Sequence, residues 1–253
     1  ISFTEALQHF QSAELSKSRG KLRVSGRRRG LAALLRCLRG PRLRPQLRGE
    51  QELALAMAQC ALDDSERVHM RILQTIYRQL TRSRLGCPRY GAHWEELGFQ
   101  GRTGSSPLPG ETPKIQLNPL WSNSVLSQLP PATPDPAPLP SLGQGRRVSH
   151  PSFHNAGIPV VFQNFPFCIM SVNITRIVIQ ALREERLSRE CNRRQEVIGV
   201  LNDLHAAAFL RLSRLWKRQH GTVADAGFFL KELELSTKKK PRQLLKSLEA
   251  YVS

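Results

Sequence analysis

The chain has 253 residues, of which 40% are hydrophobic and 6% aromatic, and its formal net charge at pH 7 is +18. This length allows one large domain or two small ones, with a sizeable core. No stretch approaches the roughly 18 apolar residues of a membrane-spanning helix, and no signal peptide is recognisable. Because the first residue is Ile1 and not Met, we expect the sequence to begin inside a longer protein.

Cysteines are spread singly along the chain. The five are Cys37, Cys60, Cys87, Cys168 and Cys191. Their odd number, their wide spacing and the lack of a C-x-x-C pair argue against a disulfide framework and against a zinc site. We therefore expect reduced thiols in a cytoplasmic protein that holds no metal and no cofactor.

Positive charge is concentrated in residues 17–48, which contain 12 Lys or Arg and no Asp or Glu. We predict that residues 1–49 form a short helix followed by this basic arm. The arginines of the arm include Arg27, Arg28, Arg29, Arg36 and Arg39. No aromatic side chain interleaves with them, so the stacking platform of a single-strand binder is missing. A solvated arm is favoured, contact with acidic lipid or protein stays open, and nucleic acid is disfavoured.

Three helices are predicted in the first third of the chain. Thr4 to Gln11 form a short amphipathic helix with Thr4 as the candidate N-cap. A second helix follows Glu50, and Ser65 is placed to cap a third. Apolar residues at helical spacing are Leu53, Met57, Cys60 and Ala61 in the second helix, and Val68, Ile72, Leu73, Ile76, Tyr77 and Leu80 in the third.

A proline-rich segment occupies residues 102–164, which hold 12 of the 17 prolines of the chain. Such sequence lacks the backbone donors of helix and sheet, and a structureless loop of about 60 residues is uncommon in a compact domain. We predict that this segment is disordered and interrupts the helical domain. A role as an SH3 or WW ligand is disfavoured, because PPATPDPAPLP has no flanking Arg or Lys.

Helical periodicity returns at Phe165 and continues to the end of the chain. The pattern predicts four helices: Cys168 to Leu187, Asn192 to about Gln219, a shorter one from Thr222 through Leu233, and a last one from Pro241. The third opens with a capping-box-like start in which Asp225 takes the place of Glu. No segment alternates like a strand, so the predicted fold class is all-α.

The sequence contains no phosphate-binding loop, dinucleotide fingerprint, nucleophile elbow or zinc-protease motif. We therefore predict no catalytic residue, and we expect a protein that acts by binding other proteins and not as an enzyme. The densest group of special residues is His93 to Gly101, with two aromatic residues and two glycines. Such a group is typical of a rigid turn between helices.

The same region carries a family resemblance. The string CPRYGAHWEELGFQG resembles the W-x-x-x-G-F-Q-G signature of the ELMO domain family, and LQTIYRQLTRSR before it and FPFCIMSVNITRIVIQALREERLSRECN after it fit the family. The resemblance implies an ELMO-type helical domain with its first part at 50–101 and its second at 165–253. It also implies a partner-facing loop made of Trp94, Gly98, Phe99, Gln100 and Gly101.

Family members that contain only this domain activate Arf-family or Arf-like small GTPases, and the resemblance implies such a partner. The implied mechanism is an arginine supplied in trans, in a continuation x-x-P-x-T-D-x-R-G after G-F-Q-G. Here Gly101 is followed by RTGSSPLPG. Arg102 is too early to match, and Arg146 and Arg147 lie in unrelated sequence, so we expect a defect in activation.

Four interpretations remain open at this stage. The chain could bind an Arf-like protein without accelerating hydrolysis, or serve as an adaptor in small-GTPase or cytoskeletal signalling. It could instead bind nucleic acid or an anionic membrane through the basic arm, and steep salt dependence would then identify it. The abrupt change on both sides of 102–164 is also typical of alternative exon use, a retained intron or a frameshift, whose product could fold poorly.

Overall fold

A computed structural model of the protein describes residues 1–12, 41–59, 63, 65–81 and 167–252. These ranges contain the helices α1 (Phe3–Ser12), α2 (Arg48–Gln59), α3 (Arg67–Thr81), α4 (Phe167–Arg183), α5 (Ser188–Arg194), α6 (Ile198–Arg218), α7 (Ala226–Lys239) and α8 (Pro241–Val252). Short 3₁₀ turns, Pro45–Leu47 and Val223–Asp225, precede α2 and α7. No strand occurs in these ranges, which confirms the all-α prediction. The proline-rich segment 102–164 lies outside them.

The centre of the fold is α6, which packs against α4, α7 and α8. Its apolar residues recur every three or four positions and therefore fall on a wide stripe that faces these neighbours. The predicted core positions Val197, Val200, Leu201, Leu204, Ala208, Leu212 and Leu215 are all buried. The prediction for this helix is confirmed, apart from its start.

The first three helices join the same core. Helix α1 packs on α2 and α3, while α2 packs on α4 and α6. Asn192 of α5 makes two hydrogen bonds to the segment that precedes α2. Its Oδ1 accepts the N–H of Arg44 at 2.9 Å, and its Nδ2 donates to the carbonyl of Arg42 at 2.8 Å. The buried apolar residues of both parts form one continuous cluster.

The amphipathic face predicted for α3 is confirmed. Ile72, Leu73, Ile76 and Leu80 are buried, and Val68 and Tyr77 are partly buried against the same core. Arg71 and Arg78 on the opposite face are exposed. In α2 the buried residues include Leu53 and Met57, whereas Cys60 and Ala61 lie outside the described residues.

The N-cap predicted for α1 is wrong. The helix begins one residue earlier than Thr4, and the hydroxyl of Ser2 accepts the N–H of Glu5 at 3.1 Å. Ser2 therefore satisfies one of the N–H groups that have no partner inside the helix.

The N-cap predicted for α3 is also wrong. The hydroxyl and the backbone N–H of Ser65 both donate to Asp63 Oδ1, at 2.7 and 2.9 Å. The side chain of Ser65 thus closes a local turn, and the helix starts at Arg67. Asp competes effectively for such neighbouring donors.

The predicted helix from Cys168 to Leu187 ends early, at Arg183. Glu185 adopts a left-handed φ of 59°, and the N–H of Arg186 donates to the carbonyl of Ala181 at 3.0 Å. This is a Schellman end, which usually places glycine at the left-handed position. A glutamate there gives no signal in the sequence, so the break was missed.

The predicted helix start at Asn192 is wrong for a related reason. Asn192 lies inside α5, a helix that was not predicted, and Gln195 ends it with a left-handed φ of 58°. The N–H of Glu196 then donates to the carbonyl of Cys191 at 3.3 Å. The next helix begins only at Ile198.

The connection between α6 and α7 is tight. His220 adopts a left-handed φ of 48°, and a Cβ on Gly221 would lie 2.5 Å from Cε2 of Phe229, so only glycine fits. The predicted capping box is confirmed, since Asp225 Oδ2 accepts the N–H of Thr222 at 2.9 Å and its hydroxyl at 2.7 Å. Helix α7 extends to Lys239, beyond the predicted end at Leu233.

Candidate protein-binding surface

The residues predicted from the sequence to face a partner lie outside the described part of the chain. This applies to the motif residues Trp94, Gly98, Phe99, Gln100 and Gly101, and to the basic-arm residues Arg27, Arg28, Arg29, Arg36 and Arg39. Their roles remain predictions.

A buried serine–histidine pair joins α4 to α6. The Nε2 atom of His205 lies 3.2 Å from both the hydroxyl and the carbonyl oxygen of Ser171. Burial lowers the pKa of His205 to about 4, so the ring is neutral at pH 7 and only weakly basic. However, His205 is 1% exposed and Ser171 is 0% exposed. No substrate can reach the pair, and its role is to satisfy polar groups within the core.

A second histidine fixes α1 against α3. The ring of His69 stacks on Phe10 with 5.4 Å between centroids, and its Nδ1 accepts the N–H of Asp63 at 2.8 Å. Burial and the neighbouring His9 lower the pKa of His69. This arrangement is a packing contact with a satisfied ring nitrogen, and it offers no open coordination or catalytic position.

Cys191 of α5 is a buried free thiol. Burial, with a further contribution from the carboxylate of Glu50, raises its pKa to about 12. Because the thiolate is the nucleophile and the metal ligand, this residue is inert at neutral pH. Of the five cysteines expected to be reduced, Cys191 is the one whose side chain the structure describes.

Neither a metal-binding cluster nor a membrane-spanning helix occurs among the described residues. No group of three or more His, Cys, Asp or Glu side chains within the described ranges is arranged to hold a metal ion. None of the helices described is both long enough and apolar enough to cross a bilayer.

A candidate recognition surface of the described helices is a groove between the last turns of α6 and helix α8, which we call the arginine groove. It encloses about 150 Å³ and is lined by Ala207, Leu210, Arg211, Arg214, Leu215, Arg218, Leu244 and Ser247. Three leucines form its apolar lining, and three arginines carry its charge. The spacing i, i+3, i+7 brings those arginines onto one face of α6.

Two of these arginines are held by neighbouring helices. Arg211 Nη2 donates to Glu232 Oε1 of α7 at 2.9 Å, and the guanidinium carbon of Arg214 lies 5.6 Å from the ring centroid of Tyr251. Both contacts restrict side chains that would otherwise be free in solvent. The groove therefore presents oriented positive charge beside apolar surface, which suits binding and not catalysis.

Comparison with known proteins places this architecture in a family. The family model of the ELMO/CED-12 family matches residues 52–107 and 143–230, more than half of the chain. The chain belongs to the ELMO/CED-12 family. The match extends into both ends of the segment 102–164, and it ends within α7.

Relatives of this ELMO/CED-12 protein are similar over its whole length. ELMO domain-containing protein 3 from Bos taurus and from Homo sapiens are each 48% identical over 254 residues, and the Mus musculus protein is 47% identical. Each alignment covers 100% of this chain, which spans 62% of the length of each relative. No solved structure matches.

Sequence reasoning identified the family but missed the arginine groove. Its predicted surfaces were the loop at 93–101 and the basic arm. The signal for the groove was present, since Arg211, Arg214 and Arg218 recur at one-turn intervals on the polar side of an otherwise apolar helix. The opposing wall, from Leu244 and Ser247, lies beyond the residues that the ELMO/CED-12 model matches.

Proposed function

We propose that this chain binds an Arf-family or Arf-like small GTPase and does not accelerate its GTP hydrolysis. Membership of the ELMO/CED-12 family supports the binding half of the proposal. The observation that carries the other half is the sequence after Gly101, RTGSSPLPG, in which the T-D-x-R-G continuation is absent.

The physical reason is electrostatic. An arginine supplied in trans stabilises the negative charge that spreads over the transferred phosphoryl group, and such a residue is worth on the order of 10³ to 10⁵ in rate. Trp94 and Phe99 carry no charge, and Gln100 carries none either. These residues suit a contact surface, and a loop that lacks the arginine can bind the GTPase without lowering the barrier.

The first experiment separates binding from activation. Phosphate release from GTP-loaded Arf and Arf-like proteins is measured with and without the unaltered chain, and binding is measured on the same proteins by calorimetry. We expect binding with no acceleration above intrinsic hydrolysis. We also expect Trp94→Ala to weaken binding, while Arg71→Ala on the exposed face of α3 serves as the surface control.

A chimera supplies the converse test. Replacement of residues 102–164 by a family-type segment carrying T-D-x-R-G and its helix should restore acceleration, and an Arg→Ala change within that segment should remove it again. Stimulation by the unaltered chain would refute the proposed defect. Single Arg102→Ala, Arg146→Ala and Arg147→Ala variants would then identify the arginine responsible.

The absence of the arginine segment also favours a second function, that of a non-catalytic adaptor in small-GTPase or cytoskeletal signalling. An adaptor of this kind acts in the cytoplasm, at membranes or on the cytoskeleton, wherever its partner resides. The two functions differ in nucleotide dependence. A GTPase regulator should distinguish GTP-loaded from GDP-loaded partners, whereas an adaptor that binds other proteins should not bind the GTPase in either state. Binding that requires only the basic arm, and that weakens steeply with salt, would point to nucleic acid or an anionic membrane.

A further inference from the structure

The arginine groove carries more positive charge than the acidic side chains paired with it in the described residues can neutralise. Arg211, Arg214 and Arg218 are all exposed and all line the same cavity of about 150 Å³. Within the described residues, the carboxylate that pairs with this set is Glu232, at 2.9 Å from Arg211. Arg214 is held by an aromatic ring and not by an acid. The groove thus retains uncompensated cationic donors.

The geometry of these donors favours carboxylates. A guanidinium presents planar paired N–H groups that match a carboxylate in a bidentate arrangement. Because Tyr251 lies under the guanidinium of Arg214, less rotamer freedom remains to be lost when a ligand binds. A volume of about 150 Å³ is small, of the order of one or two side chains and not of a drug-sized molecule.

The apolar lining restricts the ligand further. Leu210 is partly exposed at the groove, and Leu244 and Leu215 lie beneath it. A purely ionic ligand would leave this surface unused. A segment in which an acidic side chain stands next to an apolar one would engage both, because apolar burial adds about 25 cal/mol for each Å² removed from water.

Acidic side chains elsewhere on α6 and α8 argue against an extended polyanion. Asp203 of α6 and Glu249 of α8 lie on the same two helices, with side chains that are 47% and 58% exposed. Both are paired with the single guanidinium of Arg194, so these three residues together keep a net negative charge. A bilayer of anionic lipid or a nucleic acid spread over these helices would bring its phosphates against those carboxylates. A short peptide segment seated at the arginines would not.

We propose that the arginine groove is a docking site for a short acidic and apolar segment of a partner protein, with Asp or Glu side chains paired to Arg214 and Arg218. The proposal depends neither on residues 93–101 nor on a GTPase. A partner protein bound there would contact the C-terminal helices α6 and α8.

The test uses the full chain and a fluorescein-labelled 12-residue peptide in which Asp and Glu alternate with Leu, followed by fluorescence anisotropy at 0.15 M salt. The double variant Arg214→Glu and Arg218→Glu should weaken binding by roughly tenfold or more for each arginine, since hydrogen bonds to charged groups contribute about 1.5–3 kcal/mol. The matched control is Arg183→Glu with Arg189→Glu, which makes the same charge change on exposed positions of α4 and α5.

Two readouts keep the result interpretable. Circular dichroism and thermal unfolding establish that each variant folds, and Arg214→Gln with Arg218→Gln gives a milder change if the glutamates disturb folding. The peptide with Leu replaced by Ser should bind more weakly, because the apolar lining would be left unfilled. Trp94→Ala should leave peptide binding unchanged, so failure of this proposal is distinguishable from failure of GTPase binding.

Several outcomes would overturn the proposal. One is the absence of peptide binding to the unaltered chain, and another is an equal loss in the control pair. A third is preferential binding of phosphatidylserine vesicles or of single-stranded DNA that the groove variants abolish, which would assign the arginines to a polyanion. Inhibition of peptide binding by low-millimolar inorganic phosphate alone would identify a simple anion site.

Discussion

The carboxylate of Glu50 in α2 accepts the backbone N–H of Ile198, the first residue of α6, at 2.8 Å. Val197 at the N-cap of α6 has no side-chain oxygen and makes no cap hydrogen bond. Glu50 therefore performs from a separate helix the task that Ser, Thr or Asp ordinarily performs within the chain. Its negative charge also lies at the positive end of the longest described helix.

This relationship predicts a measurable loss of stability for Glu50→Ala. The variant leaves the N–H of Ile198 without its acceptor and removes a charge from the helix N-terminus, so we expect a loss of about 1–2 kcal/mol. Chemical denaturation monitored by circular dichroism measures it. Glu52→Ala, at an exposed position of the same helix, should change stability by less than about 0.5 kcal/mol. Equal effects would mean that the cross-helix cap contributes nothing.

The pH dependence of stability should reflect His205. Its pKa is about 4 in the folded chain and about 6.5 when unfolded. Since the unfolded state binds the proton more readily, stability is full above about pH 6.5 and declines as pH falls towards 4. The difference amounts to roughly 2–4 kcal/mol.

The matching variant is His205→Gln, which keeps a polar side chain but does not titrate. Its free energy of unfolding should vary less between pH 6.5 and 4 than that of the unaltered chain. His69, whose pKa is also lowered, supplies a remaining part of the slope in both proteins. Identical slopes in denaturant titrations across this range would show that His205 is not buried in its neutral form.

Two adjacent phenylalanines offer a direct test of the packing of α7 on α6. Phe229 is 2% exposed and lies 5.6 Å from the ring of Trp216, whereas Phe228 is 64% exposed. Phe229→Ala should cost about 3–5 kcal/mol through lost burial and a cavity. Phe228→Ala should remain within about 0.5 kcal/mol. A reversal of this order in thermal or chemical unfolding would place α7 in a different register.

The reactivity of Cys191 gives a fourth prediction. With a pKa of about 12 and no exposure, its thiol should resist iodoacetamide at pH 8 in the native protein and react after denaturation. Peptide mapping by mass spectrometry reads this residue separately from the other cysteines. Rapid native labelling would require that α5 opens from the core.

Helices could be predicted from the sequence wherever one face packs against a continuous core. In α6, apolar residues recur over six turns, and the buried positions could be read directly from that period. The ends of helices were less predictable. At Glu185, Gln195 and His220 the left-handed positions hold no glycine, so the usual stop signal was absent.

Contacts between distant parts of the chain could not be predicted at all. His205 is a polar residue on an apolar stripe, and its hydrogen-bond contact with Ser171 on another helix helps to explain why its burial is tolerated. The hydrogen bond between Glu50 and Ile198 could not be predicted either, because no residue near Glu50 in the sequence indicates a contact with Ile198. The arginine groove belongs to the same class, since its second wall comes from another helix.

The contact between α2 and α6 also has a consequence on the ribosome. The two residues of the hydrogen bond are 148 positions apart, and translation proceeds at about 5–20 residues per second. The apolar face of α2, which contains Leu53, Ala54 and Met57, therefore waits roughly 7–30 seconds before the start of α6 has been synthesised. During that interval the part of this face that packs on α6 has no partner, and we expect it to favour binding of chaperones to the nascent chain.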